Sequence, residues 1–151
     1  MKTFEECFSE IQSDMVSICL EYVENKVEEV FIYCSYEPTI YVFDVFYKIK
    51  GKIVHKHQLN KVKSDVNYEL YDVSRERQKS LLKRGNKDLK QIHQVCVKFN
   101  QAMPTEMKLH YRVRQNRLRA QYNYELIYSN EKELLPDDVF IAWFKEVKEK
   151  Q

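Results

Sequence analysis

Two runs of residues between Met107 and Leu126 alternate apolar and polar side chains, and this pattern constrains the fold more than any other feature of the chain. The first run places its apolar residues on one face: Met107, Leu109, Tyr111 and Val113. After a polar turn at 114–117, the second run does the same with Leu118, Ala120, Tyr122, Tyr124 and Leu126. Two such runs joined by a short turn predict an antiparallel hairpin with one buried and one solvated face. Because a hairpin is only marginally stable alone, the rest of the chain must supply further strands or a helix over its apolar face.

Segments 27–36 and 39–50 are rich in β-branched and aromatic residues and predict two further strands, separated by Glu37-Pro38. The second segment is apolar on both faces, which is typical of a strand in the interior of a sheet. Asp44 interrupts one of these faces, and we interpret it as solvent-facing or hydrogen-bonded. Gly51 then leads into residues 52–59, which predict a third strand.

Apolar residues at helical spacing fill the remaining segments. Thr3 and Glu6 have the spacing of a capping box, and an apolar stripe then predicts a helix to about Tyr22. Across 70–101 the spacing predicts one broken helix or two consecutive ones, with Gly85-Asn86 as the stop and the new cap.

The last helix has a strong start signal, a proline in the first turn followed by two acidic residues at 136–138. Trp143 is its expected anchor on the sheet. The order of elements is therefore helix, three strands, helices, two strands and helix. It predicts one α+β domain over residues 1–151, with an antiparallel sheet of about five strands covered by an N-terminal helix, a central helical pair and the C-terminal helix.

The net charge of +2 conceals a strong segregation of charge. Residues 48–119 contain 19 lysines and arginines against 6 acidic residues, a balance of +13, while the remaining 6 basic and 17 acidic residues give −11. Such asymmetry indicates a nucleic-acid surface or an acidic protein partner, or else acidic elements lying beside basic ones within the fold. The lysines at 48–63 fit either a phosphate contact or an edge strand guarded against aggregation.

Residue types that carry catalysis are present without the spacing that catalysis needs. His55 and His57 share a face and could supply half of a metal site, but His93 and His110 are distant in sequence, so we predict surface or core histidines. The chain has no phosphate-binding glycine loop, nucleophile motif or zinc spacing. We therefore predict a non-enzymatic protein without cofactor or metal; a small enzyme using His55, His57 or Asp44 is a weaker hypothesis.

The four cysteines lie at 7, 19, 34 and 96, without a CxxC motif. This irregular spacing, together with an acidic, amphipathic N-terminus unlike a signal peptide, predicts reduced thiols in a cytoplasmic protein. Cys7 and Cys19 fall on the apolar stripe of the first helix and are expected to be packing residues. No apolar run is long enough to predict a membrane span, so no membrane partner is expected.

Three segments in about the last third of the chain carry a family resemblance. They are Pro104-Thr105-Glu106-Met107-Lys108-Leu109, Ala120-Gln121-Tyr122-Asn123-Tyr124-Glu125, and Pro136-Asp137-Asp138-Val139-Phe140 with Trp143-Phe144. In these segments the chain resembles the YezG-like antitoxin and immunity proteins of bacterial polymorphic toxin systems. The resemblance implies a cytoplasmic protein that binds a cognate toxin, often a nuclease, and blocks it. Members of that family are generally acidic, and the basic middle of this chain departs from that pattern.

The first functional hypothesis is thus a non-enzymatic immunity protein that neutralises a toxin through a charge-complementary interface. The candidate partner-binding residues lie on the polar face and turn of the hairpin: Lys108, His110, Arg112, Arg114, Arg117 and Arg119. The acidic N-terminal helix is the other candidate surface. The alternative hypothesis is a nucleic-acid-binding module that uses the basic region 48–119.

Overall fold

The computed structural model describes residues 1–37, 40–62, 70–128 and 134–150. Its elements are α1 (Phe4–Tyr22), β1 (Glu29–Glu37), β2 (Ile40–Ile49), β3 (Lys52–His55), a short 3-10 helix (Leu59–Val62), α2 (Arg75–Lys98), β4 (Glu106–Arg112), β5 (Arg117–Asn123) and α3 (Pro136–Glu149). In these residues the strands form one antiparallel sheet in the order β3-β2-β1-β4-β5. The predicted α+β fold with a five-stranded antiparallel sheet and N-terminal, central and C-terminal helices is confirmed.

Alternate residues of the interior strands supply two separate cores. Val30 and Ile32 of β1 point to the inner face, where α1 and α2 cover the sheet. Phe31 and Tyr33 point to the outer face, where they pack with Phe46 of β2 under α3. The prediction that the strand 39–50 is covered on both sides is confirmed for its described part, because successive side chains of a strand point to opposite faces.

Contacts at both ends of α1 explain where this helix lies. At its start, the hydroxyl of Thr3 accepts a hydrogen bond of 3.1 Å from the backbone N–H of Glu6, which is one of the two bonds of the predicted capping box. At its end, the guanidinium group of Arg77 on α2 donates hydrogen bonds of 3.1 Å to the carbonyl oxygens of Glu21 and Tyr22. The carbonyl of Glu21 also accepts a backbone hydrogen bond of 3.1 Å from the N–H of Glu24. Arg77 therefore completes the C-terminal cap of α1 and joins this helix to α2.

The predicted break at Gly85-Asn86 is wrong, because α2 runs unbroken through both residues from its N-cap at Ser74. Gly85 serves a different purpose. It lies against the ring of Phe43 on β2, and a Cβ atom at this position would lie 2.1 Å from the ring carbon Cδ1. The glycine therefore allows the helix to approach the sheet closely, which helix spacing alone cannot reveal.

Two predicted strands are shorter than expected. The third strand ends at His55, after which the chain turns into the 3-10 helix, so 56–59 is not extended. The hairpin strand ends at Asn123, and Tyr124 and Leu126 are exposed beyond it. Here the side-chain oxygen of Asn123 accepts a hydrogen bond from the N–H of Glu125, a local turn that interrupts the strand.

α3 begins at Pro136 as predicted, and the carboxylate of Asp138 accepts a hydrogen bond of 2.9 Å from the N–H of Leu135. Trp143 is 9% exposed and packs against the rings of Phe31 and Phe46, which confirms it as a packing residue of this helix. Most of the connection between β5 and α3, residues 129–133, lies outside the described residues, as do Pro38 and Thr39. In the described part of the chain, no helix combines the length and apolar character needed to cross a bilayer.

Candidate functional site

An open cleft of about 410 Å³ lies on the outer face of the sheet, between α3 and the β4–β5 hairpin. It exists because α3 packs over β1, β2 and β3 and leaves the outer side of β5 exposed. Its charged lining residues are Glu29, Lys48, Lys108, His110, Arg112, Arg119, Glu146 and Lys150. With five lysines and arginines against two glutamates, this basic cleft carries a surplus of positive charge.

Strand register places the basic residues of the hairpin side by side. His110 lies opposite Arg119, and Arg112 lies opposite Arg117 on the neighbouring strand. Directly opposed residues of an antiparallel pair share a face, with Cβ atoms about 4.5–5.5 Å apart, and like charges in such pairs destabilise the sheet. Arg112 and Arg117 thus form a pair of like charges that a bound anionic group would stabilise.

Glu29 on β1 is the main negative charge at the floor of the cleft. Its carboxylate bonds to the imidazole of His110 and lies 3.4 Å from the ammonium nitrogen of Lys48. Burial favours a higher pKa for this carboxyl group, but the hydrogen bond and charge of His110 and the charge of Lys48 outweigh it and lower the pKa. Lys48 and His110 therefore already have an acidic partner within the protein.

Lys108 lines the cleft and contacts α3. Its ammonium nitrogen lies 5.6 Å from the ring centre of Trp143 and 4.0 Å from a carboxylate oxygen of Glu106. Glu106 is buried and accepts a hydrogen bond of 2.9 Å from the hydroxyl of Tyr33. Lys108 consequently has both a cation–π contact and an acidic neighbour, and the solvated face predicted for the hairpin is partly covered here.

Arg112 and Arg119 differ from the other cleft cations. Among the described residues, neither forms an ion pair, whereas Lys48 pairs with Glu29 and Lys150 pairs with Glu146 at 3.1 Å. Arg119 is exposed and Arg112 is half-buried. A guanidinium group offers a rigid fork of donors that matches a carboxylate, so these two arginines are the groups most suited to a partner.

The cleft brings together four of the six predicted binding residues, Lys108, His110, Arg112 and Arg119. The other two, Arg114 and Arg117, are exposed outside its lining, and Arg114 lines a separate depression beside Glu28. Sequence reasoning missed the remaining charged residues of the cleft. Lys48, Glu29 and Lys150 come from elements distant in sequence, and only the strand register and the docking of α3 bring them to the hairpin.

The histidines predicted as possible half-ligands have packing roles. The ring of His55 stacks on the ring of Phe144 with centres 3.7 Å apart, and the ring of His57 stacks on the ring of His55 with centres 5.5 Å apart. Burial and the nearby His57 lower the pKa of His55 to about 4, which keeps it neutral at physiological pH. Asp44, on the same side of the sheet, pairs with Lys56 at 2.8 Å. The described residues contain no cluster of three or more metal-ligating His, Cys, Asp or Glu side chains.

The four cysteines are all unpaired, as the irregular spacing predicted. Cys19, Cys34 and Cys96 are buried, and Cys7 is partly exposed. Burial raises the pKa of the Cys19 thiol, which disfavours the reactive thiolate. The prediction that Cys19 is a packing residue is confirmed by its place in the inner core.

A second basic surface lies on the opposite side of the sheet. Four exposed side chains on α2 recur every four residues and so form one stripe along the helix: Arg75, Lys79, Lys83 and Lys87. Because α2 covers the inner face and the cleft opens on the outer face, the basic region 48–119 does not form one surface. We call these four residues the helix stripe.

No protein-family model matches the chain, and no curated protein is significantly similar to it. The chemistry of the two surfaces is therefore the direct basis for a function. The cleft can bind a carboxylate-rich protein surface, and the helix stripe can follow a row of phosphates.

Proposed function

We propose that this chain is a non-enzymatic, cytoplasmic immunity protein that binds a cognate toxin through the basic cleft and thereby neutralises it. The observation that carries the proposed surface is the pair of unneutralised arginines, Arg112 and Arg119, in an open cleft whose other cations are mostly paired. Arg112 is half-buried and Arg119 is exposed beside it, and an acidic protein surface would supply the anionic partner that both lack among the described residues.

The proposal that this partner is a toxin rests on the resemblance to the YezG-like antitoxin and immunity proteins. The resembling segments form β4, β5 and α3, which are the elements that border the cleft. Arg119 is exposed and belongs to a residue type that often contributes large binding energies at protein interfaces. An interface at this cleft would thus depend on arginine contacts along its hairpin side.

The experiment uses the full chain as bait in its native cell, followed by a toxicity assay. A captured protein is expressed in a heterologous host with and without the chain. We expect its expression to arrest growth and the wild-type chain to restore growth. The charge-reversed variant R112E/R119E should fail to restore growth and should weaken the purified complex by a hundredfold or more, on the order expected for breaking two charged contacts at 1.5–3 kcal/mol each.

The matched control is K79E/K83E, which makes the same charge change on the helix stripe. This variant should restore growth as the wild type does. A captured partner that is harmless when expressed alone would contradict the toxin assignment. Equal protection by R112E/R119E and the wild type would contradict the assignment of the cleft.

The helix stripe favours a second candidate function, nucleic-acid binding on the inner side of the molecule. Contacts from four regularly spaced cations to phosphates would give binding that weakens steeply as salt rises. Here the roles of the variants are exchanged, because K79E/K83E should reduce binding to DNA or RNA and R112E/R119E should not. Filter binding at low salt that detects neither DNA nor RNA would remove this candidate.

A further inference from the structure

We infer that the free edge of β5 is a docking site for an extended acidic segment of a protein partner, which would add a sixth strand to the sheet. β5 ends the sheet within the described residues, with seven residues from Arg117 to Asn123 and no strand beyond it. A strand at a sheet edge presents unpaired N–H and C=O groups, which are the recognition surface for strand addition.

Strand register identifies which backbone groups are available. The N–H of Val113 donates to the carbonyl of Glu28, and the N–H of Tyr36 donates to the carbonyl of Thr105, which fixes the hydrogen-bonding pattern between β1 and β4. The backbone N–H and C=O groups of successive residues point to opposite sides of a strand. The β4 residues whose backbone groups point to β5 are therefore the ones that pair with Arg117, Arg119 and Gln121, and the backbone groups of these three β5 residues point back to β4. The N–H and C=O groups of Leu118, Ala120 and Tyr122 consequently point away from the sheet.

The two sides of β5 define the chemistry of the incoming segment. On the outer side, Arg117 and Arg119 lie beside the basic cleft, so side chains of the segment that reach them should be acidic. On the inner side, a groove of about 320 Å³ between α1 and the hairpin is lined in part by Val16, Leu20 and Leu118. Side chains on this side should be apolar, and the segment should therefore alternate acidic and apolar residues.

A second copy of this chain does not fit the same edge. In a β5–β5 pairing, Arg117 and Arg119 of both copies would share one face, beside Arg112 of each copy. Like charges at cross-strand positions are destabilising, so charge selects an acidic partner instead of self-association. Sedimentation should accordingly show a monomer at low salt, and a β5-linked dimer would overturn the choice of partner.

The opposite edge of the sheet lacks these features. β3 has four residues, and the 3-10 helix after it contacts the strand. β5 is longer, its alternate residues have distinct chemistry on the two sides, and its inner side is anchored to α1. The side-chain amide of Gln12 donates a hydrogen bond of 2.8 Å to the hydroxyl of Tyr122, which holds the strand in place without using its outward backbone groups.

The inference deepens the proposed function and rests on an acidic protein partner docking on this side of the molecule. It is tested with a synthetic peptide of about eight residues, the length needed to span β5, in which glutamate and valine alternate. The comparison peptide has the same composition in two blocks. We expect the alternating peptide to bind more tightly and to slow the hydrogen exchange of the amides of Leu118, Ala120 and Tyr122.

The decisive variant is A120P, which removes one outward N–H while keeping every charge of the cleft. Proline is tolerated in edge strands where its missing N–H does not face a neighbouring strand. A120P should bind the alternating peptide about tenfold more weakly, because it loses one hydrogen bond and hinders the neighbouring ones. Ala120→Thr keeps the N–H and separates the loss of this donor from a change of the side chain. If A120P is unstable, the exchange pattern of the three amides in the wild-type chain decides whether the peptide binds at β5.

Equal binding of both peptides, protection outside β5, or unchanged affinity of A120P would each overturn strand addition. These outcomes are separate from failure of the proposed function, which is decided by toxicity and by R112E/R119E with the captured partner. A captured toxin whose affinity falls in R112E/R119E but not in A120P would support the cleft and reject the sheet edge.

Discussion

The two faces of the sheet are built differently, although they share the same strands. On the inner face, α1 and α2 bury a large core that includes Val30, Ile32 and Leu89. On the outer face, α3 alone covers a small aromatic cluster around Phe46 and Trp143, and the outer side of β5 stays open. The inner face therefore supplies most of the hydrophobic stabilisation, and the outer face leaves room for a charged surface.

The outer face therefore depends on few contacts, and Trp143→Ala should destabilise the protein strongly. The indole contacts Phe31, Tyr33 and Phe46, and its removal should lower the free energy of unfolding by about 3–5 kcal/mol. Urea denaturation measures this change. Ile141→Ala on the same helix is the control, since Ile141 is 41% exposed and its truncation should stay within about 0.5 kcal/mol. A near-native midpoint for Trp143→Ala would contradict the placement of α3.

The inner face contains an unfavourable buried carboxyl group, and Asp88→Asn should stabilise the protein at neutral pH. Asp88 on α2 is 5% exposed, and among the described residues one of its oxygens, Oδ2, has no hydrogen-bond partner. Burial and the nearby carboxyl group of Asp14 raise the pKa of Asp88 from 3.8 to about 7, against the smaller effects of Arg84 and Lys87. The folded protein then holds a proton that the unfolded chain has released, so its stability falls as pH rises from about 4 to 7.

In Asp88→Asn this pH dependence should be absent, and the variant should be more stable than the wild type by about 2–4 kcal/mol above pH 7. Urea denaturation at several pH values measures the difference. Asp14→Asn removes the neighbouring charge and should act in the same direction with a smaller effect. A wild-type slope between pH 4 and 7 in both variants would show that this carboxyl pair does not control it.

Local sequence patterns predicted the strands and helices of both faces. Contacts between residues distant in sequence determine the close helix packing at Gly85 and the composition of the cleft. The alternation over 107–123 and the cap at Thr3 each lie within a few residues, and both are confirmed. The role of Gly85 depends on Phe43, and the composition of the cleft depends on Lys48 and Lys150. Register and helix docking determine these contacts, and neither is encoded in a short window of sequence.

Gly85→Ala tests how closely the inner face is packed. The added Cβ would meet the ring of Phe43, so either the ring or the helix must move, and overpacking of this kind costs about 1–3 kcal/mol. Denaturation of the single variant measures this cost, which exceeds the gain in helix propensity from replacing glycine. In the double variant Phe43→Leu with Gly85→Ala, the smaller side chain should offset part of the cost. A single variant more stable than the wild type would contradict the close approach of α2 to the sheet.

The smallest expected effect concerns Glu29, the acidic residue of the outer face, which titrates in the opposite sense to Asp88. Its pKa is lowered in the folded protein, so its pairing stabilises the fold above the unfolded value of 4.5 and loses that effect as pH falls through the folded pKa. Glu29→Gln should cost roughly 0.5–1 kcal/mol at pH 7 and nothing measurable once the wild-type carboxyl group is protonated. Urea midpoints at the two pH values measure this loss. Glu10→Gln, which removes an exposed pair with Lys2, is the control and should change neither midpoint.

Glu29→Gln should also strengthen the binding of an acidic peptide, because it leaves Lys48 and His110 without their anionic partner. Weaker binding would mean that Glu29, and not the arginines beside it, contacts the partner.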